Sequence, residues 1–253
     1  MSLSSASATT FIVLSFLMAA SAMPIPQLTL SPRQHDGSFQ STNWSGYAVT
    51  GASGSVSIAK GSWVVPAIQG SCTSTAQYSS FWVGIDGFNS GTVEQTGTDS
   101  DCQNGVPTYY AWYEFYPHPS FLISGMTITP GDTITAQASF SGRSFTVTIT
   151  DTHTGASFST SARVRSAQRS SAEWIAEAPS SSGGILPLAD FGTVNFSAST
   201  ATVSGTTGTI GSFGSSVQVI TMVTSSGTVK AQPSSLSGNN GDGFSVTWKS
   251  SGP

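Results

Sequence analysis

Hydrophobic and polar residues alternate along much of the chain from Ser41 onward. In residues 144–150, Phe145, Val147 and Ile149 fall on one face and hydroxyl-bearing residues on the other, the period-2 pattern of a half-buried β-strand. Similar short runs predict further strands at Val56–Ile58, Trp63–Val65, Phe81–Ile85, Tyr109–Tyr116, Met126–Ile128, Val217–Val223 and Phe244–Trp248. Residues 161–174 could be helical and are left unassigned. Together with 27 glycines, the pattern predicts an all-β fold, a sandwich of two antiparallel sheets of the concanavalin-like or jelly-roll type.

The beginning of the chain has the features of a secretory signal. Residues 1–22 contain no charged residue, have an apolar centre and end in Ala20-Ser21-Ala22, a small-x-small cleavage pattern. The apolar run is shorter than the ~20 residues that span a bilayer, so a secreted protein without a membrane anchor is predicted. Residues 23–40 are rich in proline and polar residues and are interpreted as a flexible lead or a short pro-segment. Uniform composition over residues 41–253 predicts one domain, expected to be a monomer.

Charged residues are rare in this chain. The 8 Lys and Arg and 12 Asp and Glu residues make up 8% of it, against about 25% in ordinary soluble proteins. The net charge of −4 and the lack of a basic patch along the sequence argue against nucleic acid as a partner. Few carboxylates also means few ion pairs to lose by protonation, so the composition permits stability in acid.

The cysteine content predicts one disulfide and no metal centre. Cys72 and Cys102 are the two cysteines, and an even number in an exported chain favours their pairing. The closed loop would contain Gln95 and stabilise the fold by about 3–4 kcal/mol. Two cysteines and three scattered histidines give no zinc-ligand cluster, and no cofactor is expected.

Acidic residues occur inside three aromatic-rich segments. All four glutamates of the chain lie in or beside them, although glutamate is disfavoured in strands and costly to bury unpaired. Structural hydrogen bonding is one explanation, and it fits Asp86 and Glu114 well. Period-2 alternation groups the polar and aromatic residues on shared faces: Trp82, Gly84 and Asp86; Tyr110, Trp112, Glu114 and Tyr116; Glu173 and Glu177.

Gln95 and Glu177 suggest a chemical alternative to that structural role. They place an amide and a carboxylate in two otherwise apolar, strand-like segments. A carboxylate can take a proton from water, and an amide N–H can stabilise the oxyanion that forms when this water attacks a carbonyl.

The motifs around these two residues resemble the glutamic peptidases, the eqolisin family. The resemblance covers most of residues 41–197 in the family's order. Its motifs are Asn43-Trp-Ser-Gly46, Trp63-Val-Val-Pro66, Trp82-Val-Gly-Ile-Asp-Gly87, Glu94-Gln-Thr-Gly97, Ala111-Trp-Tyr-Glu-Phe-Tyr-Pro117, Gly131-Asp132 and Ala172-Glu-Trp-Ile-Ala-Glu177. The short segment before Ser41 and the positions of the two cysteines depart from the fungal members of the family.

The resemblance implies an endopeptidase that acts on proteins or peptides in acid on a two-sheet sandwich. It assigns catalysis to Gln95, which stabilises the oxyanion, and to Glu177, which serves first as base and then as acid. It also implies that a further group of side chains lines the cleft and binds peptide or supports the catalytic pair: Trp44, Trp82, Asp86, Asp99, Trp112 and Glu114.

Two other functions remain open at the level of sequence. A retaining glycosidase could use Glu114 and Glu177 as nucleophile and acid if they lay about 5 Å apart, with the aromatics as sugar platforms. A non-catalytic carbohydrate-binding sandwich would bind through the aromatics, with the acids serving only to orient them. Signatures of pepsin-like, serine and zinc peptidases are absent from the sequence.

Overall fold

A computed structural model describes residues 40–252. The predicted signal peptide and all of the lead segment except Gln40 lie outside these residues. The strands of the first half are β1 (Gln40–Ser41), β2 (Trp44–Thr50), β3 (Val56–Val64), β4 (Ser80–Ile85), β5 (Val93–Gln103), β6 (Val106–Tyr116), β7 (Phe121–Leu122), β8 (Thr133–Ser141) and β9 (Ser144–Asp151). Those of the second half are β10 (Ser157–Ala162), β11 (Ser171–Glu177), β12 (Ser180–Ser181), β13 (Gly184–Ile185), β14 (Thr193–Val203), β15 (Thr206–Thr209), β16 (Val217–Val223), β17 (Val229–Pro233) and β18 (Phe244–Trp248). A short 3-10 helix spans Ile210–Ser216.

The strands form two antiparallel layers joined at one strand. One layer has the order β10-β9-β8-β3-β14-β18-β17, and the other has the order β2-β11-β4-β5-β6-β7. Strand β16 pairs with β17 on one side and with β2 on the other, so it connects the two layers at their shared edge. The all-β sandwich predicted from the sequence is therefore confirmed.

Apolar side chains from both layers fill the space between them. Trp63, Phe145 and Phe196 come from one layer, whereas Phe81 and Trp174 come from the other, and all five are buried. The alternation read in residues 144–150 is confirmed in β9, where Phe145, Val147 and Ile149 are all buried. Because the opposite face of the β2-β11-β4-β5-β6 layer also carries buried side chains, the central strands of that layer are buried on both sides.

Several strand predictions were correct and others need correction. Val217–Val223 and Phe244–Trp248 are strands with the predicted bounds. The runs predicted separately at Val56–Ile58 and Trp63–Val65 belong almost entirely to the single strand β3. The strand predicted at Met126–Ile128 was wrong: the segment has no strand pairing, although Met126 and Ile128 are buried in the core. Apolar alternation there reports burial, since a loop packed on the core shows the same pattern as a short strand.

The segment left unassigned, residues 161–174, contains the end of β10, a loop and the beginning of β11. Residues 163–170 contain no regular element, and β11 begins at Ser171. The predicted disulfide between Cys72 and Cys102 is confirmed, with a Cα–Cα distance of 5.4 Å. It attaches the loop before β4 to the end of β5, the strand that carries Gln95. Within residues 40–252, no helix has the length and apolar character needed to cross a membrane.

Candidate active site

The outer face of the layer formed by β2, β11, β4, β5 and β6 gathers the predicted site residues. Strand register arranges them in rows across the sheet. One row joins Glu177 on β11, Ser80 on β4 and Asp99 on β5, and a second row joins Glu173, Gly84 and Gln95 on the same strands. Because side chains two residues apart in a strand point to the same face, both rows project from one surface.

Glu177 is fully buried and is held by two N–H donors. The indole Nε1 of Trp82 donates a hydrogen bond of 2.9 Å to Glu177 Oε2, and the amide Nδ2 of Asn43 donates one of 3.3 Å to Oε1. Hydrogen bonds to both oxygens favour a charged acceptor. The role of Asn43 was not recognised from the sequence, although Asn43 opens one of the motifs shared with the glutamic peptidases.

Gln95 pairs with Glu114 across neighbouring strands. The two residues lie opposite each other on β5 and β6, and Gln95 Nε2 is 2.7 Å from Glu114 Oε2. Both side chains are fully buried, and Gln95 Oε1 and Glu114 Oε1 have no hydrogen-bond partner within the described part of the chain. Glu114 is therefore the hydrogen-bond partner of Gln95 in this structure.

The protonation of Glu114 decides how Gln95 can be oriented. Burial raises the pKa of the Glu114 carboxyl well above its usual range, and the hydrogen bond to Gln95 only partly opposes this. A carboxyl that keeps its proton can donate to the carbonyl oxygen of an amide. The amide of Gln95 can then turn by half a rotation, with Oε1 toward Glu114 and its N–H donors on the side where, among the described residues, Oε1 has no hydrogen-bond partner.

The indole of Trp82 lies between the two candidate catalytic side chains. Its Nε1 contacts Glu177, while its Cζ3 and the Cβ of Gln95 would each lie 3.0 Å from a Cβ built on Gly84. A side chain at Gly97 would collide with the carbonyl of Phe81 and lie 2.7 Å from the Cβ of Trp82. The missing side chain at Gly84 leaves room for the Trp82 ring, and the one at Gly97 leaves room for the Cβ of Trp82 and the ring of Trp112.

Gln95 and Glu177 do not lie directly opposite each other. Their partners on β4 are Gly84 and Ser80, so two strand spacings of about 4.8 Å and four residues of about 3.3 Å each separate their Cα atoms. Glu177 leans toward the gap, because its carboxylate binds Trp82, which lies two residues along the sheet in that direction. The pair can therefore act only on a group held between the two side chains.

The same register does not support the glycosidase alternative. Glu114 on β6 and Glu177 on β11 are three strands apart, since β4 and β5 lie between them. Three spacings of about 4.8 Å far exceed the ~5 Å between the two carboxyl groups of a retaining enzyme. In addition, Glu114 is bound to Gln95.

Asp99 belongs to a cluster of two acids and a tyrosine that was only partly foreseen. The Tyr110 hydroxyl lies 2.9 Å from Asp99 Oδ2 and 2.9 Å from Asp101 Oδ2, and Trp112 Nε1 donates to Asp99 Oδ1 at 2.6 Å. One hydroxyl carries one proton, so it donates to one carboxyl and accepts from the other, which must be protonated. Burial raises the pKa of Asp99 to about 7 and that of Asp101 well above its usual range, with the Asp99 charge adding to the second shift.

Trp44 and Trp112 lie on the same face as the candidate pair Gln95 and Glu177. Trp44 packs edge-on against Trp82 with ring centroids 4.9 Å apart, and it is opposite Glu177 in the register of β2 and β11. Trp112 is opposite Gly97 and is buried. Both are therefore positioned to line the surface around Glu177 and Asp99.

Asp86 lies outside this face. Strand β4 ends at Ile85, and Asp86 adopts a left-handed backbone conformation with φ of 72°. Its carboxylate accepts hydrogen bonds from the backbone N–H groups of Arg169 and Ser170, at 2.6 and 2.8 Å. Asp86 therefore holds the loop that leads into β11. The alternation that predicted a shared face with Trp82 does not extend to Asp86, because the strand ends at the residue before it.

Glu94 and Glu173 are two further buried acids near Asp86. Burial, with a contribution from the Asp86 charge, raises the pKa of Glu94 to about 9, and burial raises that of Glu173 well above its usual range. Glu94 is protonated in acid and at neutral pH as a consequence, and burial favours the neutral form of Glu173 as well. Within residues 40–252, no group of acidic, histidine or cysteine side chains is arranged to hold a metal ion.

Comparison with known proteins agrees with this architecture. The chain is 33% identical to Aspergillopepsin-2 of Aspergillus niger over 189 residues, which are 66% of each chain, so the match spans slightly less than two thirds of that relative. It superposes on scytalido-glutamic peptidase, solved with a transition state analog inhibitor, with a TM-score of 0.69 and 28% identity over 82% of this chain and 98% of that one. It also superposes on SCP-B, a member of the eqolisin family solved with the tripeptide Ala-Ile-His, with a TM-score of 0.65 and 25% identity over 82% and 98% of the two chains.

A family model settles the classification that the motifs and the fold had indicated. The model of the Peptidase A4 family matches residues 42–248 of this chain, which is nearly the whole of the described sandwich. The resemblance to the glutamic peptidases is thereby confirmed, and the chain belongs to the peptidase A4 family.

Proposed function

We propose that this protein is a glutamic-type endopeptidase that cleaves polypeptides in acid with Gln95 and Glu177. The observation that carries the proposal is the setting of Glu177, whose two oxygens accept from Trp82 and Asn43 on the face that also carries Gln95. Family membership supports hydrolysis of peptide bonds, and the relatives solved with a tripeptide and with a transition state analog support a peptide ligand. No cofactor is required by this chemistry.

The reaction begins with a water held between the two side chains. The Glu177 carboxylate takes one proton from this water while the water oxygen bonds to the scissile carbonyl carbon. The carbonyl electron pair moves to the oxygen, and an N–H of Gln95 stabilises the resulting oxyanion. When the carbon–nitrogen bond breaks, Glu177 returns its proton to the leaving nitrogen and is again a carboxylate. An ordinary glutamate titrates near ~4.3, so such a base works at a pH where histidine would be protonated.

Removing the amide of Gln95 provides the direct test of this mechanism. We expect Gln95→Ala to lower kcat by about 10²–10³-fold, the usual effect of losing one oxyanion donor, with little change in KM. The measurement is cleavage of an acid-denatured protein substrate between pH 3 and 5 by wild type and variant, each checked for its fold by circular dichroism. Near-wild-type turnover by folded Gln95→Ala would refute the oxyanion role and leave a peptidase of another mechanism.

Glu114 should act on the reaction only through Gln95. Glu114→Ala removes the partner that orients the amide, so we expect kcat to fall by about tenfold, as for loss of one hydrogen bond of ~1.4 kcal/mol, while KM stays the same. Glu114→Gln keeps an N–H donor of the same shape and should restore most of the rate. An equal loss in both variants would mean that the carboxyl of Glu114 does more than orient Gln95.

Secretion and processing complete the proposal. The signal-like residues 1–22 would direct export, and the mature chain would begin somewhere between Met23 and Ser41 and act as a monomer. N-terminal sequencing of the protein recovered from culture medium, together with its mass in solution by light scattering, tests these points. A chain recovered only inside the cells, or with residues 1–22 attached, would contradict them.

A further inference from the structure

Four arginines meet in a pocket at one end of the sandwich. Arg143 lies in the turn between β8 and β9, and Arg163, Arg165 and Arg169 lie in the loop between β10 and β11. They surround a cavity of about 340 Å³ whose apolar lining includes Phe140 and Phe145. The sequence showed no basic patch, because the arginines come from two separate segments. The fold nevertheless brings together four of the eight Lys and Arg residues of the chain.

The cluster has no acidic partner. Within residues 40–252, none of these guanidinium groups forms an ion pair with a carboxylate. The carboxylate of Asp86 does contact this loop, but it accepts from the backbone N–H of Arg169 and not from its guanidinium group. Like charges gathered without counter-charges repel one another and destabilise the compact state. A bound anion would relieve this repulsion.

One of the four arginines is already ordered for binding. The guanidinium of Arg169 stacks on the ring of Phe140 at 4.0 Å from its centroid, and Arg169 Nη1 donates to the carbonyl of Val56 at 3.4 Å. Its other N–H donors have no protein acceptor within the described chain. Arg143, Arg163 and Arg165 are exposed at the rim. This gives one planar donor held by its contacts beside three exposed ones, a donor set that suits a multidentate oxyanion.

We infer that this pocket, named here the arginine pocket, binds the phosphate monoester of a phosphoserine on a polypeptide substrate. The acidity of the proposed reaction selects the anion: peptide carboxylates lose their charge near pH ~4, whereas a phosphate monoester, whose second pKa is about 6, keeps a negative charge there. Arginine stays charged throughout. The choice of a polypeptide as carrier rests on the proposed peptidase function, whereas recognition of the phosphoryl group rests on the pocket alone.

The test compares two double variants that remove the same charge from different places. Arg163→Ala with Arg165→Ala alters the arginine pocket, and Lys60→Ala with Lys249→Ala removes two exposed charges outside it. Binding of a fluorescent phosphoserine peptide and of its unphosphorylated twin is followed by anisotropy at pH 4, in full-length chains that carry Glu177→Gln so that neither peptide is cut.

We expect the phosphopeptide to bind more tightly than its twin, and its affinity to fall by about tenfold or more in the arginine double variant and less than twofold in the lysine one. Inorganic phosphate should displace the peptide, and added salt should weaken binding. Equal affinity for both peptides, equal losses in both double variants, or no displacement by phosphate would overturn the inference. Inorganic phosphate that binds as tightly as the peptide would assign the pocket to free anions and overturn the docking of substrate.

This readout does not depend on turnover. If the wild-type protein cleaved no substrate, the proposed function would fail, while discrimination between the two peptides would still be measured. If cleavage occurred with the same kcat/KM for phosphorylated and dephosphorylated protein substrates, the peptidase would stand and the arginine pocket would have no part in substrate selection.

Discussion

Replacing Glu177 by glutamine is expected to abolish proteolysis, with kcat/KM reduced by at least about 10³-fold, since in the proposed mechanism one side chain supplies both the base and the acid of the reaction. Glutamine has nearly the same shape, and its one carbonyl oxygen can still accept from Trp82 while its amide nitrogen takes the place of the oxygen that faces Asn43, so the fold should persist. The measurement is the initial rate of peptide cleavage at pH 4 with circular dichroism and thermal unfolding as checks on structure.

Glu173 provides the matched control for that substitution. It lies on the same strand and the same face, four residues before Glu177, and is equally buried. Because burial keeps Glu173 protonated, Glu173→Gln replaces one neutral group by another and should retain most of the activity. Glu173 is also in the row of Gln95, so the reverse outcome, with Glu173→Gln inactive and Glu177→Gln active, would transfer the base to Glu173.

The free energy of unfolding should be highest in acid and should decrease as the pH rises from about 4 to 9. The pKa of Glu94 is raised to about 9 and that of Asp99 to about 7, both chiefly by burial. In the unfolded chain such groups ionise near pH ~4. Above that pH the native state holds more protons than the unfolded state. Each such group then lowers the free energy of unfolding by about 1.4 kcal/mol per pH unit until the pH reaches the pKa of the group in the native state.

The total loss should be on the order of several kcal/mol, complete for Asp99 near neutrality and continuing to about pH 9 for Glu94. Lys230, whose pKa burial lowers to about 8, adds no slope below that pH because it is protonated in both states. Urea unfolding at pH 4, 6 and 8 measures the trend.

Glu94→Gln isolates the contribution of one group. It removes an ionisable carboxyl from the interior, so the variant should be more stable than wild type at pH 8 and should show a shallower decline above pH 5. A wild-type unfolding free energy that is constant or increasing from pH 4 to 8 would contradict the protonation of these buried acids.

The sequence predicted what depends on local periodicity and on the order of the motifs. Strand β9 and the pairing of Cys72 with Cys102 follow from alternation and from cysteine number. The face shared by Trp112 and Glu114 follows from the period of a strand and is present in β6. Membership in the glutamic peptidases followed from the ordered series of short motifs, each of them weak alone.

What could not be predicted depends on strand register and on contacts distant in sequence. Tyr110 joins Asp99 to Asp101 because β5 and β6 pair in one particular register, and no pattern within either strand specifies that register. Asp86 fitted the period-2 alternation of residues 82–86, but its own left-handed backbone conformation lies beyond the end of β4. The arginine pocket combines a hairpin turn with a loop about 20 residues later, and only the packing of the two segments makes it visible.

Gly84 and Gly97 bear on how this kind of catalyst could be recognised or transplanted. In the proposed mechanism Gln95 and Glu177 depend on these two missing side chains. A Cβ at Gly84 would press on the Trp82 ring that binds Glu177, and one at Gly97 would meet the Cβ of Trp82 and the ring of Trp112. A search for unrelated sheets with the same capability should therefore look for two glycines and a tryptophan on adjacent strands together with the amide and the carboxylate. Engineering the reaction into a new sandwich should begin by removing side chains at those two places, before any reactive group is added.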